Sequence, residues 1–148
     1  MIKVRKGKRE DLPYVLDLIK ELAEYEHALD KVQNTVKSME QDGFGEHPVF
    51  GFIVAEDGNK VIGTSIYYYR YSTWQGKRLY LEDLVITESR RRLGIGKLLF
   101  KETLKIAKQN KCTGMMWQVL DWNEPAINFY KKYSTRFDDE WINCNIDF

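Results

Sequence analysis

The chain contains 148 residues, with 23 Lys and Arg against 22 Asp and Glu, which gives a formal net charge of +1. Hydrophobic residues make up 43% of the sequence and aromatic residues 14%, enough to build a sizeable core, so the chain need not stay disordered. At this length we expect a single domain over residues 1–148, and the near-zero charge argues against a protein that coats nucleic acid with its whole surface.

The first third of the sequence predicts one strand and two helices. A short strand is expected at residues 2–5, followed by a helix over residues 12–26 whose apolar residues recur at intervals of three and four. Asp11 stands where an N-cap is expected, and Pro13 falls in the first turn, where its missing N–H does no harm. A second, shorter helix is expected at residues 35–41.

From residue 49 onward, β-branched and aromatic runs alternate with turns and later with helices. The residues Asp-Gly-Asn-Lys at 57–60 predict a hairpin turn between two strands. A later strand–helix–strand unit predicts a parallel strand pair, so the class is mixed α/β. Strands are predicted at residues 49–56, 61–71, 78–87, 115–120 and 137–148, and helices at residues 94–111 and 125–133.

Targeting and metal-binding signals are missing from the sequence. The start, MIKVRKGKREDL, has no apolar run typical of a signal peptide, and no stretch is apolar enough to span a membrane. Cys112 and Cys144 form no disulfide framework, and neither they nor His27 and His47 have the spacing of metal ligands. We therefore expect a soluble, cytoplasmic protein with no metal and no membrane partner.

The segment RRRLGIGK at residues 90–97 lies between a predicted strand and a predicted helix. Glycines let backbone N–H groups approach a ligand, and the helix N-terminus together with the basic side chains favours an anion, so the segment predicts a phosphate-binding turn. The alternative is a tight turn with a solvated basic rim. The Rossmann fingerprint and the P-loop both fail, because Gly94 and Gly96 are followed by Leu98 and Leu99 and no third Gly or Lys-Ser/Thr pair occurs.

The pattern Arg91-x-x-Gly94-x-Gly96 resembles the pyrophosphate loop of the GNAT superfamily of N-acetyltransferases, which bind acetyl-CoA. The resemblance extends over nearly the whole chain. Within that superfamily, the sequence is most similar to the diamine (spermidine/spermine and thialysine) N-acetyltransferases. The strings that carry this similarity are LIKELA with YE, DGFGEHP, LYLED, WNEP and INFYK.

The resemblance implies a GNAT-type α/β fold, in which helices flank a mixed, mostly antiparallel sheet with a splayed parallel strand pair that admits the pantetheine arm. Backbone groups of the splayed strand would bind the pantetheine, and those of the loop would bind the pyrophosphate. The expected acetyl-CoA contacts are Leu84, Val85, Ile86, Arg91, Arg92, Leu93, Gly94, Ile95, Gly96, Lys97, Asn123 and Asn128.

The same resemblance assigns catalytic roles to Tyr130 and Glu82. Tyr130 would protonate the departing thiolate as general acid, although a tyrosine that serves only packing is the alternative. Glu82 would deprotonate the amine through water, because an ammonium cannot attack a thioester. Glu82 and Asp83 are adjacent on a predicted strand, so we expect them to face opposite sides of the sheet, and two structural carboxylates paired with Arg or Lys are the alternative.

A cationic acceptor would be bound by acidic and aromatic side chains. For Tyr25 and Trp74, ordinary packing is the alternative to a cation–π role. One departure from the family is Ser134, which stands where a helix-ending Gly is usual, and another is a short C-terminal tail. The expected substrate-binding residues are Tyr25, Glu26, Trp74, Glu82, Asp83 and Glu140.

Together these features predict an enzyme that transfers acetyl from acetyl-CoA directly to a primary amine of a small polyamine, diamine or lysine-like molecule. The alternatives are acetylation of a protein or peptide amine, and a non-catalytic acyl-CoA sensor. Nucleic-acid binding through the basic helix is ranked last, and a homodimer is implied by the resemblance alone. Residues 86–111 carry eight basic and two acidic side chains, a net charge of +6, which leaves −5 for the remaining residues. This division fits one anionic and one cationic substrate.

Overall fold

The computed structural model describes all 148 residues, which form two compact units at residues 1–117 and 118–148. The larger unit contains five strands and three helices, and the smaller unit contains one helix. The expectation of a single domain stays a prediction. The strands are β1 (Ile2–Lys6), β2 (Gly51–Asp57), β3 (Lys60–Ser72), β4 (Gly76–Ile86) and β5 (Met115–Trp117), and the helices are α1 (Leu12–Tyr25), α2 (Val36–Phe44), α3 (Ile95–Gln109) and α4 (Glu124–Lys131).

The five strands form one sheet in the order β1-β2-β3-β4-β5. The first three pairings are antiparallel, and the last, between β4 and β5, is parallel. Helix α3 makes the crossover that a parallel pair requires. The predicted mixed α/β class, with a mostly antiparallel sheet and one parallel pair, is therefore confirmed.

Apolar side chains cover both faces of the sheet, because successive side chains along a strand point to opposite faces and a layer of helices packs on each face. Side chains of β2 point alternately to the two layers, since Phe52 and Val54 pack with α1 and α2 whereas Ile53 packs with α3. On the α3 side, the hydroxyls of Ser65 and Thr103 also form a buried hydrogen bond of 2.7 Å. These contacts fix α1 on one face of the sheet and α3 on the other.

The ends of the first two helices show how local chemistry sets their limits. Asp11 lies at the predicted N-cap of α1, but its carboxylate does not cap that helix. Instead it accepts hydrogen bonds from the Arg5 guanidinium at 2.8 and 3.0 Å and from the Lys8 N–H at 2.7 Å, because a 3₁₀ turn precedes α1. The hydroxyl of Thr35 caps α2 by accepting from the Ser38 N–H at 3.1 Å.

The predicted hairpin between β2 and β3 is confirmed. Asp57 pairs with Lys60, so the turn has two residues, and Gly58 adopts a positive φ of 63° that suits a Gly at this position. None of the helices is both long and apolar enough to cross a membrane.

The prediction of a last strand over residues 137–148 is wrong. These residues form neither helix nor strand, and all of them are exposed. No strand of the smaller unit offers them backbone hydrogen bonds, and a single extended segment is not stable as a strand without a partner. Strand β5 is also shorter than predicted, since it ends at Trp117 rather than at Leu120.

Candidate active site

Strand β4 separates from β5 halfway along its length. The two strands pair only where residues 79–81 lie opposite residues 115–117, although β4 continues to Ile86. From Glu82 onward, β4 therefore has no strand partner on its β5 side. Leu84 and Val85, two of the predicted pantetheine contacts, lie along this open stretch, where backbone groups can bind an extended ligand as an added strand would. The carbonyl of Ile86 already accepts a hydrogen bond of 3.1 Å from Arg91 Nε.

A β-bulge lies at the point where the two strands separate. Leu81 pairs with Tyr67 and Asp83 pairs with Ile66, so Glu82 is an extra residue in β4. The prediction that Glu82 and Asp83 face opposite sides of the sheet assumed regular alternation, and the bulge interrupts that alternation. The charge of Glu82 acts on Asp83 and on Tyr80, so the two carboxylates belong to one electrostatic cluster.

Asp83 is the most perturbed carboxyl group in this cluster. Burial raises its pKa from 3.8 to about 7, and the negative charges of Glu82 and Glu26 contribute in the same direction. Burial also raises the pKa of Glu26, which follows the last residue of α1. Three predicted substrate-binding residues are thus brought together, and their shared negative charge favours a cation beside Asp83.

The loop between β4 and α3 exposes a run of backbone donors. None of the N–H groups of residues 92–97 donates to an acceptor within the chain, and the first helical bond of α3 runs from the Leu98 N–H to the Gly94 carbonyl. Arg92 and Gly94 have positive φ values of 66° and 79°. This backbone, together with the N-terminus of α3, forms a cradle for an anion.

Two carboxylates outside the loop hold it in place. Glu21 of α1 accepts a hydrogen bond of 2.7 Å from the Glu88 N–H and also contacts the Thr87 hydroxyl. Asp57, at the end of β2, pairs with Arg90 at 2.6 Å. Sequence reasoning missed both anchors, because each is an ordinary acidic residue in its own element and only the fold brings it to the loop.

The structure separates the two predicted aromatic contacts. The Tyr25 ring lies 5.5 Å from the Arg91 guanidinium, so it joins the end of α1 to the loop. Trp74 is exposed in the turn between β3 and β4. Along β4 this turn lies about 20 Å from Asp83, at about 3.3 Å per strand residue, so Trp74 is not part of the carboxylate cluster.

Strands β3 and β4 also present two aromatic rings that sequence reasoning did not single out. Tyr68 and Tyr80 pair in register, with ring centroids 5.1 Å apart, and Arg70 lies 5.8 Å from the Tyr80 ring. Burial, reinforced mainly by the charge of Glu82, raises the pKa of Tyr80 to about 12, so this phenol keeps its proton at neutral pH. The alternating pattern of two strands could have predicted the pair only if their register had been known.

The smaller unit contains the remaining predicted residues. Tyr130 is buried near the end of α4, and the Thr135 hydroxyl donates to its carbonyl at 2.6 Å. Asn123 caps α4 by accepting from the Ala126 N–H at 3.3 Å, which gives this side chain a structural role. Asn128 is exposed on α4, and Glu140 is exposed in the C-terminal tail.

Ser134 follows α4 with a positive φ of 52°. Helix ends that use this backbone conformation favour Gly, which has no Cβ to strain. The helix therefore ends as the family pattern would require, although the residue is Ser.

Comparison with known proteins gives consistent results. The profile of the acetyltransferase (GNAT) family matches residues 13–134. The chain is 37% identical over 141 residues to thialysine N-epsilon-acetyltransferase of Sus scrofa, which covers 90% of this chain and 83% of that protein. It is 38% identical over 134 residues to spermidine/spermine N(1)-acetyltransferase-like protein 1 of Homo sapiens, which covers 86% of this chain and 19% of that protein.

Solved structures share the fold at lower sequence identity. An aminoglycoside acetyltransferase from an uncultured soil metagenomic sample has a TM-score of 0.80 at 18% identity, covering 99% of this chain and 96% of its own. A mutant of the BH1408 protein from Bacillus halodurans has a TM-score of 0.81 at 22% identity, covering 97% and 99% of the two chains. At such identities, the likeness concerns the fold alone.

Proposed function

Because the chain belongs to the acetyltransferase (GNAT) family, we propose that it transfers an acetyl group from acetyl-CoA directly to a primary amine of a small polyamine, diamine or lysine-like molecule. The observation that carries this proposal is the run of six N–H groups without acceptors at residues 92–97, next to the open edge of β4. The first feature suits a pyrophosphate, and the second suits an extended pantetheine arm.

The donors present fit acetyl-CoA. The N–H groups of residues 92–97 would hold the pyrophosphate, with Arg91, Arg92 and Lys97 adding positive charge. Backbone groups of residues 84–86 would bind the pantetheine. When bound, this co-substrate supplies an activated acetyl thioester. Unpaired N–H groups on the open edge of β4 are suited to stabilise the negative charge that develops on the carbonyl oxygen.

The carboxylate cluster would receive the amine. An alkyl ammonium must lose a proton before its nitrogen can attack, and a base with a pKa near the working pH does this most efficiently. Asp83, with a pKa of about 7, meets that condition, so this proposal gives it the base role that the resemblance assigns to Glu82. Glu82 is exposed and would pass the proton to solvent through water, while Glu26 adds negative charge that favours a cationic acceptor. The thioester exchanges its C–S bond for a C–N bond. The ammonium gives up two protons in all: the first leaves to solvent through Asp83 and Glu82, and the second balances the proton that the sulfur receives.

Tyr130 would return a proton to the departing sulfur. A phenol has a reference pKa of about 10 against about 8.5 for a thiol, so local positive potential must assist this transfer. Lys131, the next residue in α4, can supply it. Direct transfer needs no covalent enzyme intermediate, so Cys112 and Cys144 have no catalytic role in this proposal.

Thiol release from acetyl-CoA across spermidine, putrescine, lysine, thialysine and short peptides tests the function. We expect release with the small amines and little with peptides. Faster release with peptides would favour a protein amine, and CoA binding without release to any amine would identify a sensor.

Gly94→Ala tests the role of the loop in the same assay. The substitution forces a side chain into a φ of 79°, so we expect the KM for acetyl-CoA to rise and the KM for the amine to stay unchanged. Gly76→Ala is the matched control, because Gly76 has a similar φ of 89° but lies at the start of β4, away from the loop. An equal rise in both variants would contradict a phosphate-binding role for the loop.

We place the enzyme in the cytoplasm as a homodimer. The family resemblance supports the dimer, and two cysteines without a disulfide, Cys112 and Cys144, suit a reducing compartment. Multi-angle light scattering of the purified chain tests the assembly, and a mass of one chain would contradict it.

A further inference from the structure

Two arginines face each other across β3 and β4. Arg70 and Arg78 are directly opposite in the strand register, two residues beyond the Tyr68–Tyr80 pair. Like charges placed directly opposite on a sheet destabilise it, and neither guanidinium has a carboxylate within ion-pair distance. The sheet therefore holds two adjacent positive charges that no group of the chain neutralises.

Both guanidinium groups extend toward the β5 side of the sheet: that of Arg70, on β3, reaches across β4 to Met116, and that of Arg78, on β4, reaches Gly114, just before β5. Arg70 passes over the Tyr80 ring and donates from Nη1 to Met116 Sδ at 3.2 Å, and a thioether is a weak acceptor. The Arg78 guanidinium lies against Gly114, where an added Cβ would collide with its Nη1. The absence of a side chain at Gly114 thus leaves the space that Arg78 occupies. Gly114 lies two residues before Met116, so both residues face the same side of the sheet.

The arginine pair lies on the same face of the sheet as Asp83. Arg78 and Tyr80 are two residues apart on β4, and the bulge at Glu82 places Asp83 on that face as well, since Tyr68 and Ile66 are their partners on β3. The Arg70 guanidinium lies beside Tyr80. Tyr80 and Asp83 are successive residues on this face of β4, so about 7 Å along the strand separates the guanidinium from Asp83. An extended lysine-sized molecule spans a similar distance between its side-chain nitrogen and its carboxylate.

We propose that Arg70 and Arg78 form a carboxylate-binding subsite for the acceptor, which makes the preferred acceptor an amino acid with a side-chain amine. This inference rests on the proposed acetyl transfer. A guanidinium fork matches a carboxylate through paired N–H donors, and the bound anion relieves the repulsion between the two opposed arginines. A polyamine of the same length places another cation against the two arginines, so it gains no binding free energy from them.

Matched pairs of acceptors that differ only in the carboxylate test the subsite. L-lysine is compared with cadaverine and L-ornithine with putrescine, by kcat/KM for acetyl transfer and by calorimetric binding to the enzyme without acetyl-CoA. The enzymes compared are wild type, Arg70→Gln, Arg78→Gln and the double variant. Arg9→Gln is the control, since its guanidinium lies 5.9 Å from the Phe44 ring on another part of the surface.

We expect wild type to favour L-lysine over cadaverine by about tenfold or more, and each arginine substitution to remove about tenfold of kcat/KM for L-lysine alone. Cadaverine should change by less than about twofold, and Arg9→Gln should change neither. Gly114→Ala should act like Arg78→Gln, with no further loss when the two are combined, because its Cβ displaces the same guanidinium.

Equal use of lysine and cadaverine by wild type, or an equal loss for both in the variants, overturns the subsite while leaving acetyl transfer intact. If no amine is acetylated, the proposed function fails, and calorimetry still decides the subsite. L-lysine binding that weakens in Arg70→Gln and Arg78→Gln supports it, and unchanged or undetectable binding in all enzymes overturns it.

Discussion

Replacing Asp83 by Asn should stabilise the protein at neutral and alkaline pH. The folded environment raises the carboxyl pKa from 3.8 to about 7, so ionisation opposes folding. Each pKa unit corresponds to about 1.4 kcal/mol, which sets an upper limit of ~4 kcal/mol. Because Asp83 is only partly buried, solvent screens its charge as well as that of Glu82, and we expect half of that limit, ~2 kcal/mol, to be measured.

The pH dependence fixes the sign of this effect. A raised carboxyl pKa means that the folded state holds its proton more tightly than the unfolded state, so stability falls as pH rises from about 4 to about 7 and then levels off. The side chain in the Asp83→Asn variant does not ionise, so this variant does not lose stability as the pH rises. The two proteins should therefore have similar stability near pH 4, and the variant should be the more stable one near pH 8.

Urea unfolding of wild type and Asp83→Asn at several pH values across this range measures the difference. Asp17→Asn, which alters an exposed carboxylate of α1, is the control and should show no growing difference. A stability difference that does not change with pH, or a variant that is less stable near pH 8, would refute the reasoning. Activity of the variant should fall, since the proposed base is lost.

Three further substitutions test other parts of the molecule. Tyr130→Phe should lower kcat by about 100-fold while calorimetry shows unchanged CoA binding, and an unchanged kcat would remove Tyr130 from the reaction. Glu21→Ala frees the loop after β4, so the KM for acetyl-CoA should rise about tenfold. Glu24→Ala, in the same helix, is its control, and equal effects would argue against anchoring. Ser134→Gly relieves a φ of 52° and should stabilise the protein by about 0.5–1 kcal/mol in thermal unfolding, whereas a lower melting temperature would contradict the strain.

The features that the sequence predicts well are those that residues close together in the chain determine. The apolar spacing of residues 12–26 predicts a helix, and α1 ends within one residue of that range. The hairpin at Gly58 and the glycine-rich loop before α3 follow from backbone preferences that a few residues determine. Residues 137–148 show the limit of such patterns, because a strand also needs a partner strand that the local sequence does not specify.

The parts of the site that sequence reasoning missed depend on contacts between distant residues. The run from Tyr80 to Ile86 reads as regular alternation, and the bulge at Glu82 becomes visible only when β4 is aligned with β3. Glu21 lies 67 residues before Glu88 and has the appearance of a solvated acid on a helix. Arg70 and Arg78 oppose each other only because the β3–β4 turn sets that register.

The arrangement of the sheet in chain order has a consequence for how the enzyme folds. Strands β2 to β4 each lie beside the preceding strand, and the β2–β3 and β3–β4 pairings connect neighbours in sequence. Such local hairpins close early, whereas the parallel β4–β5 pairing must wait for the whole crossover through α3. The loop between β4 and α3 and the separation of β4 from β5 both lie where this late pairing forms. We therefore expect acetyl-CoA to act on the last folding step, protecting the amides of α3 and β5 from hydrogen exchange more than those of β2 and β3.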